Sequence, residues 1–163
     1  MITISPVHSA PDCLRIEKLA DAIWRKHYIP MVGKPQIDYM LHKYQSETAI
    51  ANQIKEGFEY FLLHADKVPV GYIAIKKEVN ELFLSKIYVL SNYRRQGIGT
   101  FALRFVKEKA KKYQLKAIRL TVNVNNSNSI AAYKRLGFEN TGTLITDIGQ
   151  GFVMDDYVMV KPL

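Results

Sequence analysis

Arg94-Arg95-Gln96-Gly97-Ile98-Gly99-Thr100 joins two stretches of opposite periodicity. Before it, Leu82 to Leu90 is a short run of apolar, β-branched and aromatic residues, as a strand requires. After it, Ile98, Ala102, Phe105, Val106 and Tyr113 recur at helical spacing, with Leu103 and Ala110 widening the stripe. A strand therefore feeds a helix through a turn holding two glycines. Glycine lets the backbone turn tightly and come close to a ligand, while the first N–H groups of the helix lack internal partners and its dipole favours negative charge. The turn predicts an anion cradle.

Three anion-binding patterns compete for it. A nucleoside triphosphate loop needs Gly-Lys-Ser or Gly-Lys-Thr, but Thr100 and Phe101 follow Gly99 here. Gly97, Gly99 and Ala102 do satisfy the dinucleotide fingerprint G-x-G-x-x-A. That fold wants an acid about 20 residues on for the ribose, yet no Asp or Glu occurs between Glu108 and Glu139, so only an NADP reader using Arg119 survives. Its strand should also open a parallel unit, whereas this one closes a meander. The third pattern is a nucleic-acid surface. Lys and Arg number 23 against 15 Asp and Glu, a net charge of +8. Between Arg94 and Arg135 stand eleven of the bases and one acid, Glu108, so the excess belongs to one compact block that starts at the turn. A small polyphosphate ligand fits such a block at least as well as a groove several phosphates long. Lys107, Lys109, Lys111 and Lys112 read as a solvated helix face.

Working outward, Tyr60 to Ala65 and Val68 to Lys76 precede the decisive strand as antiparallel neighbours. Ser9-Ala10-Pro11-Asp12 starts a helix carrying Ile16, Leu19, Ala20, Ile23 and Trp24 on one face; a second carries Ile37, Met40, Leu41 and Tyr44, and a third runs from Ser46 to Gly57. Past the central helix, Ala117 to Val124 alternates as a half-buried strand, a helix spans Ser127 to Leu136, and a hairpin pairs Thr141–Ile148 with Phe152–Val160. The order predicts an α/β (α+β mixed) fold: one mixed, mostly antiparallel sheet with helices on both faces.

The 163 residues suit a single domain over 1–163, and 48% hydrophobic with 23% charged residues predicts a folded globule. No run reaches the roughly 18–20 apolar residues of a membrane span, and Met1 to Pro11 lacks the features of a secretion signal, so a cytoplasmic protein away from the membrane is expected. Cys13 stands alone, which excludes an internal disulfide and a multi-cysteine zinc site; no metal is expected.

The turn and a second motif together resemble the GCN5-related N-acetyltransferase (GNAT) family. Arg94 to Gly99 matches its R/Q-x-x-G-x-G/A turn, and Leu84-Ser85-Lys86-Ile87-Tyr88-Val89 looks like the strand before it. Asn126 to Phe138 matches its N-x-x-(S/A)-x-x-x-Y-x-(K/R)-x-G-F segment, and the likeness covers about Val68 to Val160. The resemblance implies a sheet of about seven strands and transfer of acetyl from acetyl-coenzyme A to a primary amine of a small molecule in a ternary complex, with no metal and no nucleic-acid partner. It also implies the site. Arg94, Arg95, Gln96, Gly97, Ile98, Gly99 and Thr100 would hold the diphosphate, Ile87, Tyr88 and Val89 would pair with the pantetheine amides, and Asn126 and Ser129 would contact the cofactor. Tyr133 would protonate the departing thiolate, since a phenol still holds its proton at neutral pH. A base is expected, for which Glu81 stands first, followed by Glu139, His27 and Asp155; His27, Tyr28, Gln36 and Tyr39 on the early helices are candidate acceptor contacts. Ile23 to Tyr28 and Asp147 to Tyr157 resemble a polyamine-acetylating subset, and acids at Glu139, Asp147, Asp155 and Asp156 would suit a cationic acceptor. A homodimer is compatible with the sequence, which does not set the oligomeric state.

Overall fold

A computed structural model describes residues 1–163. The chain runs β1 (Ile2–Pro6), α1 (Ala10–Val32), α2 (Lys34–Gln45), α3 (Glu47–Lys55), β2 (Phe58–Ala65), β3 (Val68–Lys77), β4 (Glu81–Val89), α4 (Ile98–Lys112), β5 (Ala117–Asn123), α5 (Ser127–Arg135), β6 (Glu139–Gly149) and β7 (Phe152–Pro162). One sheet takes all seven strands in the order β1-β2-β3-β4-β5-β7-β6, antiparallel except where β4 meets β5. The mixed, mostly antiparallel sheet read from the sequence is thus present. β1, a short edge strand before the first helix, is the one strand that the pass along the chain does not find.

Alternation within the strands loads both faces. Leu63, Ile73, Leu84, Ile118, Leu120 and Val122 pack under α4 on one side. Tyr60, Leu62, Tyr72 and Ala74 pack under α1, α2 and α3 on the other. Ser9 caps α1 by accepting from the amide of Asp12, as its sequence signature demands. α1 runs on past Trp24 through Pro30, which costs little so close to the C-terminal end, and Gly33 at φ 90 turns the chain into α2.

The feature that positions the site is a gap. β4 and β5 are parallel partners only at Glu81–Phe83 against Ala117–Arg119, and beyond these three pairs they diverge. Arg119 holds the closed end: its guanidinium meets Glu78 at 2.7 Å and Glu81 at 3.6 Å. No helix is long and apolar enough to cross a membrane.

Candidate active site

Divergence of β4 from β5 leaves Ser85 to Val89 without ladder partners on the β5 side, so the main-chain groups that point to that edge, those of Ile87 and Val89 in the alternation of an antiparallel ladder, face open space. A cleft of about 1550 Å³ occupies that space, from the glycine turn to α2 and α3. Ile87, Tyr88 and Val89 line it, as do Arg94, Arg95, Ile98, Gly99 and Thr100.

The turn itself is built as an anion cradle. Gly97 is left-handed at φ 82 and precedes α4 without a side-chain cap, and Arg95 is also left-handed at φ 62. The first helical bond runs from Phe101 N to the Gly97 carbonyl, so the amides from Arg95 to Thr100 all lack backbone partners. A Cβ on Gly97 or Gly99 would meet nothing within 4 Å, so the space before those amides is clear. Gln96 turns away and donates to the Asn92 carbonyl; neither it nor Gly97 lines the cleft, and both contribute backbone alone.

Across the gap, α5 supplies Asn126, Ser129 and Tyr133, all lining the cleft. Asn126 sits where a helix cap would, yet its side chain makes no cap bond, and its Oδ1 is buried without any hydrogen-bond partner. A buried acceptor left unpaired costs about 1–3 kcal/mol, so this atom fits a ligand donor. Tyr133 packs edge-on against Phe138. Burial, with a smaller contribution from Tyr28, pushes its phenol above the ordinary value, so it keeps its proton.

Four early-helix residues divide into two pairs. Tyr28 bonds the Tyr88 hydroxyl at 3.1 Å within a cluster that includes buried Trp24. His27 stands near Arg94 and Asn126; burial and then Arg94 lower its pKa, with Asn126 opposing, so the imidazole is held neutral. Gln36 and Tyr39 line the cleft but spend their polar atoms elsewhere. The Gln36 amide donates to the Val153 carbonyl at 2.8 Å, and the Tyr39 hydroxyl to Ile148 at 2.5 Å, where Lys43 Nζ also donates at 2.6 Å. These bonds clasp α2 to the β6–β7 hairpin and hold both residues in the wall of the cleft.

Glu81 requires a correction. It lies in the closed end of the β4–β5 wedge beside Arg119, outside the cleft, and pins the sheet. Glu139, Asp147 and Asp155 are exposed, and none lines the cleft. Asp156 does: it is 7% exposed, and burial followed by Asp155 pushes its carboxyl up to about 6. Lys86, which the sequence did not flag, also lines the cleft; burial brings its amine down to about 8, with the Ser85 hydroxyl as its only hydrogen-bond partner.

The profile of the acetyltransferase (GNAT) family matches residues 16–138. An uncharacterized N-acetyltransferase of Methanocaldococcus jannaschii is 36% identical over 94 residues, 52% of this chain and 40% of that protein. An N-alpha-acetyltransferase of Sulfurisphaera tokodaii is 33% identical over 117 residues, 64% of this chain and 69% of that one. The chain thus spans less than half of the first relative and about two thirds of the second. The crystal structure of a PaiA N-acetyltransferase from Thermoplasma acidophilum in complex with coenzyme A superposes with a TM-score of 0.85 at 23% identity, over 100% of this chain and 99% of that one. That last likeness concerns the fold.

Proposed function

Because this chain belongs to the acetyltransferase (GNAT) family, we propose that it moves an acetyl group from acetyl-coenzyme A to the primary amine of a small molecule, by direct attack in a ternary complex in the cytoplasm. The carrying observation is the row of unpartnered amides from Arg95 to Thr100 beside an unpaired stretch of β4. A helix N-terminus binds diphosphate, and an open strand edge binds a chain of amides. Coenzyme A contains both in that order, which accounts for donors at the turn and an open edge leading away from it.

The other residues serve the reaction from these positions. Asn126 Oδ1 would accept from an amide of the carrier. Tyr133, with its proton held tightly, would donate it to the sulfur as the thioester breaks. The main-chain N–H of Val89 would face the oxygen on which charge develops, whereas that of Leu90 is committed to the Val70 carbonyl at 2.8 Å; a well-aimed donor contributes roughly 3 kcal/mol. The α2–hairpin clasp supports a small acceptor, since it narrows the approach. A polyamine belongs to that class, but of the four acids that suggested it only Asp156 lines the cleft. An acceptor at a polypeptide N-terminus is the second reading, on the name of the Sulfurisphaera tokodaii relative.

Two experiments test this. Thermal unfolding with coenzyme A, acetyl-coenzyme A, NADPH and a DNA duplex in parallel should show stabilisation by the first two, about 2.7 kcal/mol at 100 times Kd. Stabilisation by NADPH alone, or salt-sensitive stabilisation by DNA alone, overturns the reading. A thiol-release screen over polyamines, amino acids, aminoglycosides and short peptides then identifies the acceptor, and its peptide arm separates the two readings.

A further inference from the structure

The acceptor half of the cleft holds one carboxylate that nothing in the protein answers. Asp156 is buried, yet no cation or hydrogen-bond donor of the chain is among the influences on it. The other carboxylate along the cleft, Glu56, is exposed at the end of α3. Strand alternation explains the placement: Met159 and Tyr157 face the α4 core, whereas Asp156 and Met154 face the cleft. Around Asp156 stand Tyr28 from α1, its register partners Asn123 of β5 and Leu144 of β6, and Asp155 on its own strand. Tyr28 is in turn influenced by Arg94 and bonded to Tyr88, and it influences Tyr133. All these neighbours of Asp156 are neutral or acidic, and a buried anion without a counter-charge is unfavourable unless a ligand supplies one.

We infer that Asp156 receives the ammonium group of the acceptor and takes the proton that must leave before its nitrogen attacks, so the cleft takes primary amines that are cationic in water. This rests on the acetyl transfer proposed above. The ammonium gives one proton to the Asp156 carboxylate, and the freed lone pair forms the C–N bond at the thioester carbonyl. As the C–S bond breaks, its electron pair leaves on sulfur, which takes the Tyr133 phenol proton. The nitrogen loses its second proton and the phenolate regains one, while the Asp156 proton passes to solvent, so one amide, one thiol and one released proton result. His27 is another base along the cleft, but a proton accepted there would place its charge next to Arg94.

The test compares wild type, Asp156→Asn and the exposed neighbour Asp155→Asn with the amine fastest in the thiol-release screen, from pH 5 to 9.5. Wild-type kcat/KM should rise with pH through about 6, as the carboxyl ionises. Asp156→Asn should lose on the order of 100-fold or more at pH 7, mostly in kcat/KM for the amine, and lose the wild-type plateau above pH 6, rising with the neutral amine instead. The deficit should shrink about tenfold per pH unit as neutral amine appears in solution, while stabilisation by coenzyme A stays as in wild type. Asp155→Asn should keep the wild-type plateau, with the acid limb moved to lower pH by loss of the neighbouring charge. Should Asp156→Asn not fold, Asp156→Glu, which keeps the charge one methylene away, should retain the acid limb with reduced kcat. Asp156→Asn with wild-type kcat/KM and an unchanged acid limb, or Asp156→Glu without that limb, overturns the inference alone. A wild type that acetylates no amine in the screen overturns the acetyl-transfer reading and this one together.

Discussion

Burial raises the pKa of both Tyr133 and Asp156, but the proposed reaction would use opposite protonation states of the two. For Tyr133 the shift reinforces the acid form, so Tyr133→Phe should lower kcat by on the order of 100-fold and leave coenzyme A binding intact; unchanged turnover removes it as the acid. For Asp156 the shift is a cost. Its folded pKa lies near 6, above an ordinary carboxylate, so the native state binds the proton more tightly and stability falls as pH rises from about 4 to 6. Asp156→Asn should therefore raise the unfolding free energy by about 1–3 kcal/mol at pH 7, with the gain gone below pH 4. Equal melting curves at pH 7 would contradict this. Lys86, depressed to about 8, destabilises while charged, and Lys86→Met should stabilise at pH 6–7 with the gain narrowing between pH 8 and 10. The sequence pointed to Tyr133 and Asn126 through the resemblance of Asn126–Phe138 to the family segment, and both line the cleft. It was silent on which of Asp155 and Asp156 turns inward, since both faces of β7 hold apolar residues and only the fold says which one meets the cleft. Glu81 could have been set aside from the strand alone: six residues separate it from Ile87, about 20 Å of extended chain.

At the scale of elements, β4 owes its position to a residue outside the cleft. A Cβ on Gly71 of β3 would collide with the main chain of Tyr88 and Val89, so only glycine lets β3 support β4 at this distance. Gly71→Ala should push Tyr88 out of place, destabilise the fold by about 1–3 kcal/mol, and weaken coenzyme A binding, as measured by calorimetry, without touching any group of the cleft. Gly97 illustrates a different constraint: space is free around it, and the left-handed backbone makes the demand. Most elements were legible because their periodicity is clean, as in the alternating burial of β5. β1 was not, since five residues at an edge show too little pattern, and its assignment needs β2 as partner. The α2–hairpin clasp was also illegible. Its bonds from Gln36, Tyr39 and Lys43 end on backbone carbonyls more than 100 residues away, and no side-chain pattern encodes them.

The whole molecule behaves as two half-sheets, β1–β4 and β5–β7, meeting in a wedge. Three ladder pairs and the Arg119 ion pairs close one end; the other is held apart, with α4 crossing beneath. Segments with unpaired backbone and few partners open most easily, so the edge-facing amides of Ile87 and Val89 and those of Arg95–Thr100 should exchange with solvent faster than those of β2 and β3, whose strands are paired on both sides. A ligand that fills the gap along its length supplies those partners at once. Coenzyme A should then slow exchange in both stretches together. Peptides from β6, an edge strand remote from the gap, should remain unaffected. A truncated ligand separates the contributions: adenosine 3′,5′-bisphosphate lacks both the diphosphate and the pantetheine and should protect neither stretch fully, whereas dephospho-coenzyme A retains both and should protect each. Protection of Arg95–Thr100 without Ser85–Val89 on coenzyme A binding would mean that the strand edge does not pair with the pantetheine, and that the divergence of β4 from β5 serves something other than this ligand.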